Sequence, residues 1–303
     1  MKVWINPQEV NALPSAVALG MFDGVHLGHQ AVIGAAKDTA DALQTVVLTF
    51  TTKHGRPTKK AHQKDILTAE GRLKRLETLG IDAVYMPDFE EIRSLEPEEF
   101  VQQILHDTLH AKILCCGDDF RFGKQARGDV ALLQKLGHVL DMQVIVVPPK
   151  LDGGQPISST RIRQCLLDGD IVSANRMLGY RYFIEGKVVY GRQLGRTMDC
   201  PTINQKLSEH ICIPKYGVYI SATEVDGVLY PSITNVGKKP TIAGERQPLA
   251  ETHLIGLDQN LYGRVLRVTL YDFIREEAKF ESVEALFRRI HRDIETAKVY
   301  FNK

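Results

Sequence analysis

Two histidines on either side of a glycine are the first residues of the chain whose types and spacing could do chemistry. His26 and His29 lie in residues 20–29 (GMFDGVHLGH), between an apolar run and a helical pattern, so they are predicted at the N-terminus of a helix. Backbone N–H groups and the helix dipole attract phosphate there, and imidazoles add donors that can be positively charged. The stretch predicts a phosphate site, although a helix start with two surface histidines is the simpler interpretation.

Aromatic and charged side chains follow a later apolar run. In residues 117–123 (GDDFRFG), Phe120 and Phe122 would share one side of an extended segment, with Asp119 and Arg121 on the other. The two rings could pack on a flat ligand ring, or they could belong to the core, as aromatic residues after a strand usually do. We favour the binding interpretation.

Hydroxyl and guanidinium groups are concentrated in residues 157–163 (ISSTRIR), which open another predicted helix. Serine and threonine are favoured helix caps, so a capped helix is the simple interpretation. The alternative is a second cradle for an anion, because arginine offers planar, bidentate donors to phosphate.

A glycine-containing turn and a short polar run lie in the C-terminal part of the chain. Residues 191–196 (GRQLGR) can bring backbone donors to phosphate, and Thr202 and Asn204 carry oxygens of the kind that ligate Mg²⁺. Glu251 lies in a strand-like run, where its carboxylate could be a general base for a hydroxyl nucleophile. From spacing alone, a carboxylate that simply faces solvent is the favoured interpretation.

The elements that would position these residues form two different patterns. From residue 16 to about residue 150, continuous apolar runs alternate with helical patterns, which is typical of a Rossmann-like, doubly wound α/β domain with a parallel sheet. Ligands bind at the carboxyl ends of such strands, where residues 20–29 lie. The predicted strands are residues 16–20, 45–50, 83–86, 112–116 and 143–147, and the predicted helices are residues 29–43, 68–80, 97–109 and 129–140, a helix running through 167, and 171–178.

Short alternating runs separated by Gly and Pro replace this pattern after about residue 183, and they predict a small antiparallel β-barrel. A last helix has an apolar stripe that would pack against the barrel. The predicted strands are residues 183–189, 218–225, 229–236, 250–257 and 264–273, and the last helix is residues 283–300. We therefore predict two domains, 1–182 and 183–303.

Composition argues against several classes of protein. The 303 residues are 44% hydrophobic and carry a net charge of +1, so bulk electrostatics do not indicate a nucleic-acid or anionic-membrane partner. Apolar runs are far shorter than the roughly 20 residues that span a bilayer, and no signal peptide is expected. Five cysteines form no CxxC pair, which favours reduced thiols, no zinc site and a cytoplasmic protein.

The ordered set of motifs resembles the prokaryotic bifunctional riboflavin kinase/FAD synthetase family over nearly the whole chain. The first three motifs resemble the family's GxFDGxHxGH, G-x-D/N-F-x-FG and ISSTxIR patterns. In the second domain, GRTMDCPTIN resembles GRxxGFPTAN, ITNVGKKPT resembles NxGxRPT, and AETHL resembles the strand with the family's catalytic glutamate. DQNLYGRVLRV and FIREEAKF match the end of the family's barrel.

The resemblance implies two activities. The N-terminal domain is expected to be an FMN adenylyltransferase (a nucleotidyltransferase) that makes FAD and pyrophosphate from FMN and ATP, and the barrel a kinase that phosphorylates riboflavin to FMN. It implies catalytic roles for His26, His29 and Glu251, and Mg²⁺ binding by Thr202 and Asn204. The expected ATP or phosphate contacts are Gly20, Phe22, Asp23, Gly24, Ser159, Thr160, Arg163, Gly191, Gly195 and Arg196, and the expected flavin or nucleotide contacts are Phe50, Asp119, Phe120 and Phe122.

Two departures from the family pattern leave alternatives open. Asp199 and Cys200 replace Gly-Phe before PTIN, which puts a negative charge beside an ATP phosphate site, and residues 51–54 (TTKH) replace a Pro-His-Pro. A monofunctional FAD synthetase with a flavin-binding or assembly barrel is therefore the main alternative. A different HxGH nucleotidylyltransferase would lack such a barrel, and a tRNA-charging enzyme would need a KMSKS-type loop. We expect small-molecule substrates, neither nucleic acid nor membrane as partner, and a monomer or weak homo-oligomer.

Overall fold

A computed structural model describes residues 1–40, 42–51, 63–190, 200–240 and 246–302 of the chain. Contacts between residues divide the chain into two units. The first unit comprises Met1–Gln63 and Ala69–Ser158, and the second comprises Lys64–Thr68 and Ser159–Lys303.

The first unit is built on a parallel sheet. Its strands are β1 (Lys2–Trp4), β2 (Ser15–Leu19), β3 (Gln44–Leu48), β4 (Ala83–Tyr85), β5 (Ala111–Gly117) and β6 (Gln143–Val147). Their order in the sheet is β1-β4-β3-β2-β5-β6, so the chain crosses from one side of β2 to the other after β4. In open α/β sheets, ligands bind at such a switch point. The five predicted strands are confirmed, and β1, which was not predicted, pairs with β4.

Both faces of this sheet are buried. Val17 and Val46 belong to the core on one face, whereas Ala16 and Val47 belong to the core on the other. Successive residues of a strand point to opposite faces, so a strand covered on both sides needs consecutive apolar residues. The α/β fold class that was predicted from these continuous runs is confirmed.

Helices connect the strands of the first unit. They are α1 (Leu27–Asp38), α2 (Ala69–Glu77), α3 (Phe89–Ile92), α4 (Pro97–Glu99) and α5 (Val130–Val139), with 3₁₀ turns at Pro7–Glu9 and Lys124–Ala126 and a small hairpin of β7 (Leu151–Asp152) and β8 (Gln155–Pro156). The predicted helix 97–109 continues from α4 as a π-helix, Phe100–Thr108. The first helix ends at Asp38 rather than at residue 43: the backbone of Thr39 leaves the helix, and the Thr39 hydroxyl donates to the carbonyl of Ala35.

The second unit is a closed antiparallel barrel with three helices. After α6 (Ser159–Asp168) and α7 (Ile171–Leu178) come β9 (Phe183–Val189), β10 (Thr202–Lys206), β11 (Gly217–Val225), β12 (Val228–Pro240), β13 (Arg246–Leu254), β14 (Val265–Arg275) and α8 (Val283–Phe301). The strands close in the order β10-β13-β12-β11-β14-β9. The predicted barrel and last helix are confirmed, and β10, which was not predicted as a strand, pairs with both β9 and β13.

The two faces of the barrel wall differ in chemistry. On the outer face, Ile220 and Ile233 pack against Ile294 of α8 in an apolar cluster. The residues that alternate with this cluster point into the barrel, and several of them are polar and fully buried: Gln205, Ser221, Thr223, Ser232, Thr234 and Thr252, each 0% exposed. The Thr234 hydroxyl hydrogen-bonds that of Ser221 at 2.8 Å and that of Thr252 at 2.9 Å, which links three adjacent strands.

Helix α7 is tied to the barrel by a buried asparagine. The side chain of Asn175 donates to the carbonyl of Leu270 on β14 at 3.0 Å and accepts from the backbone N–H of Tyr182 at 2.6 Å. Because of these bonds, α7 belongs to the same unit as the barrel, and the second unit begins again at Ser159. The sequence pattern, in contrast, changes at 182–183. The division at 182–183 stays a prediction about where the two functional domains meet.

Candidate active sites

The turn from β2 into α1 carries the first motif, and it lies beside the switch point of the sheet. Its backbone is unusual, since Phe22 (φ 49°), Gly24 (φ 80°) and Val25 (φ 41°) all have positive φ. The left-handed region costs a residue with a Cβ about 1–3 kcal/mol, and such strain is concentrated at functional sites. Packing holds the turn in this shape, because Phe22 is 1% exposed and a Cβ on Gly20 would lie 3.1 Å from its ring. Asp23 of the same turn is also buried.

His26 is both the cap of α1 and one of a pair of stacked rings. Its Nδ1 accepts a hydrogen bond from the backbone N–H of His29 at 3.3 Å, so the neutral ring carries its proton on Nε2. The two imidazole centroids are 3.5 Å apart and their planes are inclined by 17°. Gly28 leaves room for this stack, because a Cβ there would lie 3.2 Å from the His26 ring. The two predicted catalytic histidines therefore meet at a helix N-terminus.

A buried arginine outside the motif braces the same turn. Arg72 of α2 is 4% exposed, and its guanidinium donates to the carbonyls of Met21 at 2.7 Å and Phe50 at 2.8 Å. It thereby links the chain after β2 to the chain after β3. Sequence reasoning missed Arg72, although one signal was present: it lies four residues before Leu76, on the buried face of the helix.

The chain after β5 supplies the next candidates, because β5 is the neighbour of β2. Asp119 is exposed and turns back over Gly117, where a Cβ would lie 3.2 Å from its Oδ1. Phe120 is half-buried and stacks on Phe122 with ring centroids 5.8 Å apart. Phe122 itself is 5% exposed and packs on Phe100 in the core. The turn after Gly117 breaks the extended alternation and directs the Phe122 ring inward, and contact of either ring with a ligand stays a prediction.

Two further sets of predicted contacts lie elsewhere. Phe50 follows β3 and is half-buried, with its ring 6.0 Å from that of Phe89 in an edge-to-face arrangement. Ser159, Thr160 and Arg163 open α6 in the second unit, where Arg163 Nη2 donates to the Thr160 hydroxyl at 3.5 Å. Their role in binding ATP phosphates stays a prediction.

Three polar residues form a row on the outer face of the barrel. Glu251 of β13 is paired directly with Asn204 of β10 on one side and with Asn235 of β12 on the other. Directly paired residues point to the same side of a sheet, with Cβ atoms about 4.5–5.5 Å apart. Thr202 lies two residues before Asn204, on the same side and opposite His253. The structure therefore brings the predicted Thr202, Asn204 and Glu251 together.

The oxygen atoms at one end of this row fit a hard cation. Asn204 is 5% exposed, and no hydrogen-bond donor among the described residues reaches its buried Oδ1. A buried acceptor without a partner is unfavourable unless an ion or ligand occupies that place. With the Thr202 hydroxyl on the same side, the donor set matches the preference of Mg²⁺ for oxygen ligands.

His253 holds the residue that precedes Thr202. Its Nδ1 lies 2.9 Å from the carbonyl oxygen of Pro201. Burial lowers the pKa of His253 below its usual value, the bond to Pro201 opposes this, and the charge of His291 adds to the lowering. The ring is therefore neutral near pH 7, with the Nδ1 proton donated to Pro201. Sequence reasoning did not single out His253, although it follows Glu251 by two residues on the same face.

Four residues that the sequence places near an ATP phosphate lie outside the described residues: Gly191, Gly195, Arg196 and Asp199. Residues 52–54 of the TTKH segment also lie outside them. Cys200 is 4% exposed and belongs to the apolar cluster beneath α8. None of the helices that the structure describes is long and apolar enough to cross a membrane.

Two family models match the chain, FAD synthetase at residues 8–161 and riboflavin kinase at residues 178–301. The bifunctional riboflavin kinase/FMN adenylyltransferase of Bacillus subtilis is 36% identical over 300 residues, covering 95% of this chain and 93% of the relative. The protein of the same name from Escherichia coli is 36% identical over 293 residues, covering 94% and 92%. A crystal structure of a macrolide-efflux protein from Streptococcus pneumoniae superposes with a TM-score of 0.86 at 32% identity and covers 98% of both chains.

These matches run through both units and include the parts of the chain that carry the histidine pair and the Glu251 row. The chain therefore belongs to the family of bifunctional riboflavin kinase/FMN adenylyltransferases.

Proposed function

We propose that the first unit transfers AMP from ATP to FMN, giving FAD and pyrophosphate, and that the barrel phosphorylates riboflavin with ATP, giving FMN. One observation carries the proposal. Each part of the chain that a family model matches has its own set of reactive groups, the stacked histidines in one and the Glu251 row in the other. Two separate sets of groups support two separate reactions.

Adenylyl transfer needs no general base, because the attacking phosphate oxygen of FMN is already ionised. This oxygen attacks the α-phosphorus of ATP, and the bond from that phosphorus to the leaving pyrophosphate breaks. The N–H groups at the start of α1 and the rings of His26 and His29 bind the phosphates and stabilise the charge that develops. Catalysis is then positioning plus electrostatic stabilisation. Asp119, Phe120 and Phe50 are the candidates for contacts with the nucleotide and flavin rings.

Phosphorylation of riboflavin differs because the terminal hydroxyl of the ribityl chain must lose a proton. Glu251 accepts this proton while the hydroxyl oxygen attacks the γ-phosphorus, and ADP leaves. Thr202 and Asn204 are the residues that would hold Mg²⁺. When bound, this ion neutralises charge on the phosphates of ATP.

A barrel that only binds flavin is the less favoured alternative. The full-length relatives are named for both activities, and the direct pairing of Glu251 with Asn204 supports a base beside a metal ligand in this chain. We expect small-molecule substrates, a cytoplasmic location and a monomer or weak homo-oligomer.

The proposal is tested by supplying the purified full-length chain with ATP and Mg²⁺, plus either riboflavin or FMN, and separating the flavins by chromatography. We expect FMN and FAD from riboflavin, and FAD from FMN. FAD from FMN without any product from riboflavin would contradict the kinase half of the proposal. FMN from riboflavin without FAD would contradict the adenylyltransferase half, and a reaction without ATP controls for contaminating flavin.

A further inference from the structure

The row that contains Glu251 has two flanks of different character. On one flank, the buried oxygen of Asn204 and the hydroxyl of Thr202 suit the metal and the ATP phosphates. On the other flank lies Asn235, paired directly with Glu251. A general base must lie within hydrogen-bond reach of the hydroxyl that it deprotonates, and the oxygen of that hydroxyl must face the phosphate donor. The Asn235 flank is therefore where the rest of the alcohol substrate would extend.

A second carboxylate is held on this flank. The Asn235 amide donates to Oε1 of Glu277 at 3.2 Å. Gly237, two residues after Asn235 and thus on the same face, makes room for it: a Cβ there would collide with Glu277 Oε1 and would lie 3.0 Å from its Cδ. Diagonal neighbours on paired strands are about 7–8 Å apart, so the Glu277 carboxylate lies over a position within reach of a substrate bound at Glu251.

Glu277 differs from the acidic residue beside it. Glu276 forms an ion pair with Lys215 at 2.8 Å, which gives that carboxylate a structural partner. None of the ion pairs among the described residues includes Glu277, whose partner is the neutral amide of Asn235. A carboxylate has about four acceptor positions, so one amide hydrogen bond leaves Glu277 able to accept several more. An exposed carboxylate that is positioned but not neutralised is suited to bind hydroxyl groups.

We propose that Glu277 binds hydroxyl groups of the polyol chain of the flavin substrate. Asn235 positions its carboxylate, and the lack of a side chain at Gly237 leaves room for it. This inference rests on the proposed kinase function of the barrel. Hydrogen bonds to the inner hydroxyls fix the chain so that its terminal hydroxyl lies at Glu251. Glu277 is thus a specificity residue, since it distinguishes a polyol chain from an alkyl chain that ends in the same hydroxyl.

The test compares riboflavin with an analogue in which a hydroxypentyl chain replaces the ribityl chain, so that only the terminal hydroxyl remains. The full-length enzyme phosphorylates both compounds, and the quantity compared is kcat/KM for riboflavin divided by kcat/KM for the analogue. For Glu277→Ala we expect kcat/KM for riboflavin to fall on the order of tenfold or more, as loss of a hydrogen bond to a charged group predicts, with little change for the analogue. Glu276→Ala is the matched control and should keep the wild-type ratio.

Gly237→Ala provides a second, independent variant. Its added methyl displaces the Glu277 carboxylate without removing its charge, and it should lower the same ratio. Gly186→Ala is the control glycine, because a Cβ there makes only an ordinary contact of 3.6 Å. Phosphorylation of the hydroxypentyl analogue by each variant shows that the barrel is folded.

The outcomes separate this inference from the proposed function. If wild-type enzyme does not phosphorylate riboflavin, the proposed kinase function fails. If it does, but Glu277→Ala lowers kcat/KM for both substrates equally or changes neither value, then Glu277 does not bind the polyol hydroxyls and the inference is overturned. A Gly237→Ala enzyme that is folded and keeps the wild-type ratio overturns the placement of Glu277.

Discussion

The imidazole rings of His26 and His29 lie face to face, with centroids 3.5 Å apart, at the N-terminus of α1. Together with the backbone N–H groups at the start of α1, this stacked pair is the phosphate-binding element that we propose for adenylyl transfer.

Replacing His29 by alanine is expected to lower FAD formation from FMN about a hundredfold or more, as loss of one donor to a developing charge does. Phosphorylation of riboflavin by the same protein should not change, because Glu251 lies on the barrel. The two rates are measured separately with FMN and with riboflavin. Loss of both activities would contradict two independent sites.

His26 requires a more careful substitution, because its Nδ1 caps α1. His26→Ala removes a cap worth about 0.5–2 kcal/mol as well as a phosphate ligand. His26→Asn keeps a capping oxygen, so we expect the thermal stability of the protein to be retained while FAD formation falls. A His26→Asn enzyme with normal FAD formation would show that His26 serves only as the cap.

Glu251→Gln should lower the kcat for riboflavin phosphorylation by about 10²–10⁴, the usual contribution of a general base, and leave FAD formation from FMN intact. Glu224→Gln is the control, because Glu224 is an exposed carboxylate on β11 of the same barrel. An unchanged kcat in Glu251→Gln would exclude Glu251 as the base.

Arg72→Lys is expected to lower both FAD formation and the stability of the first unit. A single ammonium group cannot replace both guanidinium bonds, to Met21 and Phe50. Leaving a buried carbonyl without a donor costs about 1–3 kcal/mol. Thermal unfolding and FAD formation are compared with those of Arg75→Lys, whose side chain bonds to Thr78 within the same helix region. Equal behaviour of the two variants would show that Arg72 does not brace the turn.

His253 makes the stability of the barrel dependent on pH. Because burial lowers the folded-state pKa of His253 below its unfolded value, the unfolded chain binds the extra proton first as the pH falls. The stability contribution is therefore complete above pH 6.5, the ordinary value, and is lost progressively below it. Thermal unfolding of the wild-type protein and of His253→Asn is measured between neutral and mildly acidic pH. As the pH falls, the variant should lose less stability than the wild type. A parallel loss in both would argue against this role of His253.

How far the sequence predicts the molecule depends on whether a segment carries a clear periodicity. Strands β2 and β3 are continuous apolar runs, and both were predicted. Strand β10 was not, because its consecutive polar residues Asn204 and Gln205 are both buried, one on each face of the barrel wall. A strand that needs polar groups on both faces shows no alternation for the sequence to reveal.

The candidate sites follow the same division. His26, His29 and Glu251 are recognised from residue type within a motif, and the structure supplies the contacts among their neighbours. Arg72 lies outside every motif, and Glu277 lies in the FIREEAKF segment, for which the sequence alone indicates no chemistry. Their positions depend on tertiary neighbours, the carbonyl of Met21 in one case and Gly237 in the other. Such residues become visible only when the fold brings distant parts of the chain together.

The hydroxyl groups inside the barrel have a thermodynamic consequence. Unfolding raises the heat capacity in proportion to the apolar surface it exposes, whereas exposed polar surface lowers it. The barrel encloses Ser221, Thr234 and Thr252, whereas the first unit buries apolar residues on both faces of its sheet. These buried hydroxyl groups therefore lower the heat-capacity change of the barrel on unfolding and flatten its curve of stability against temperature.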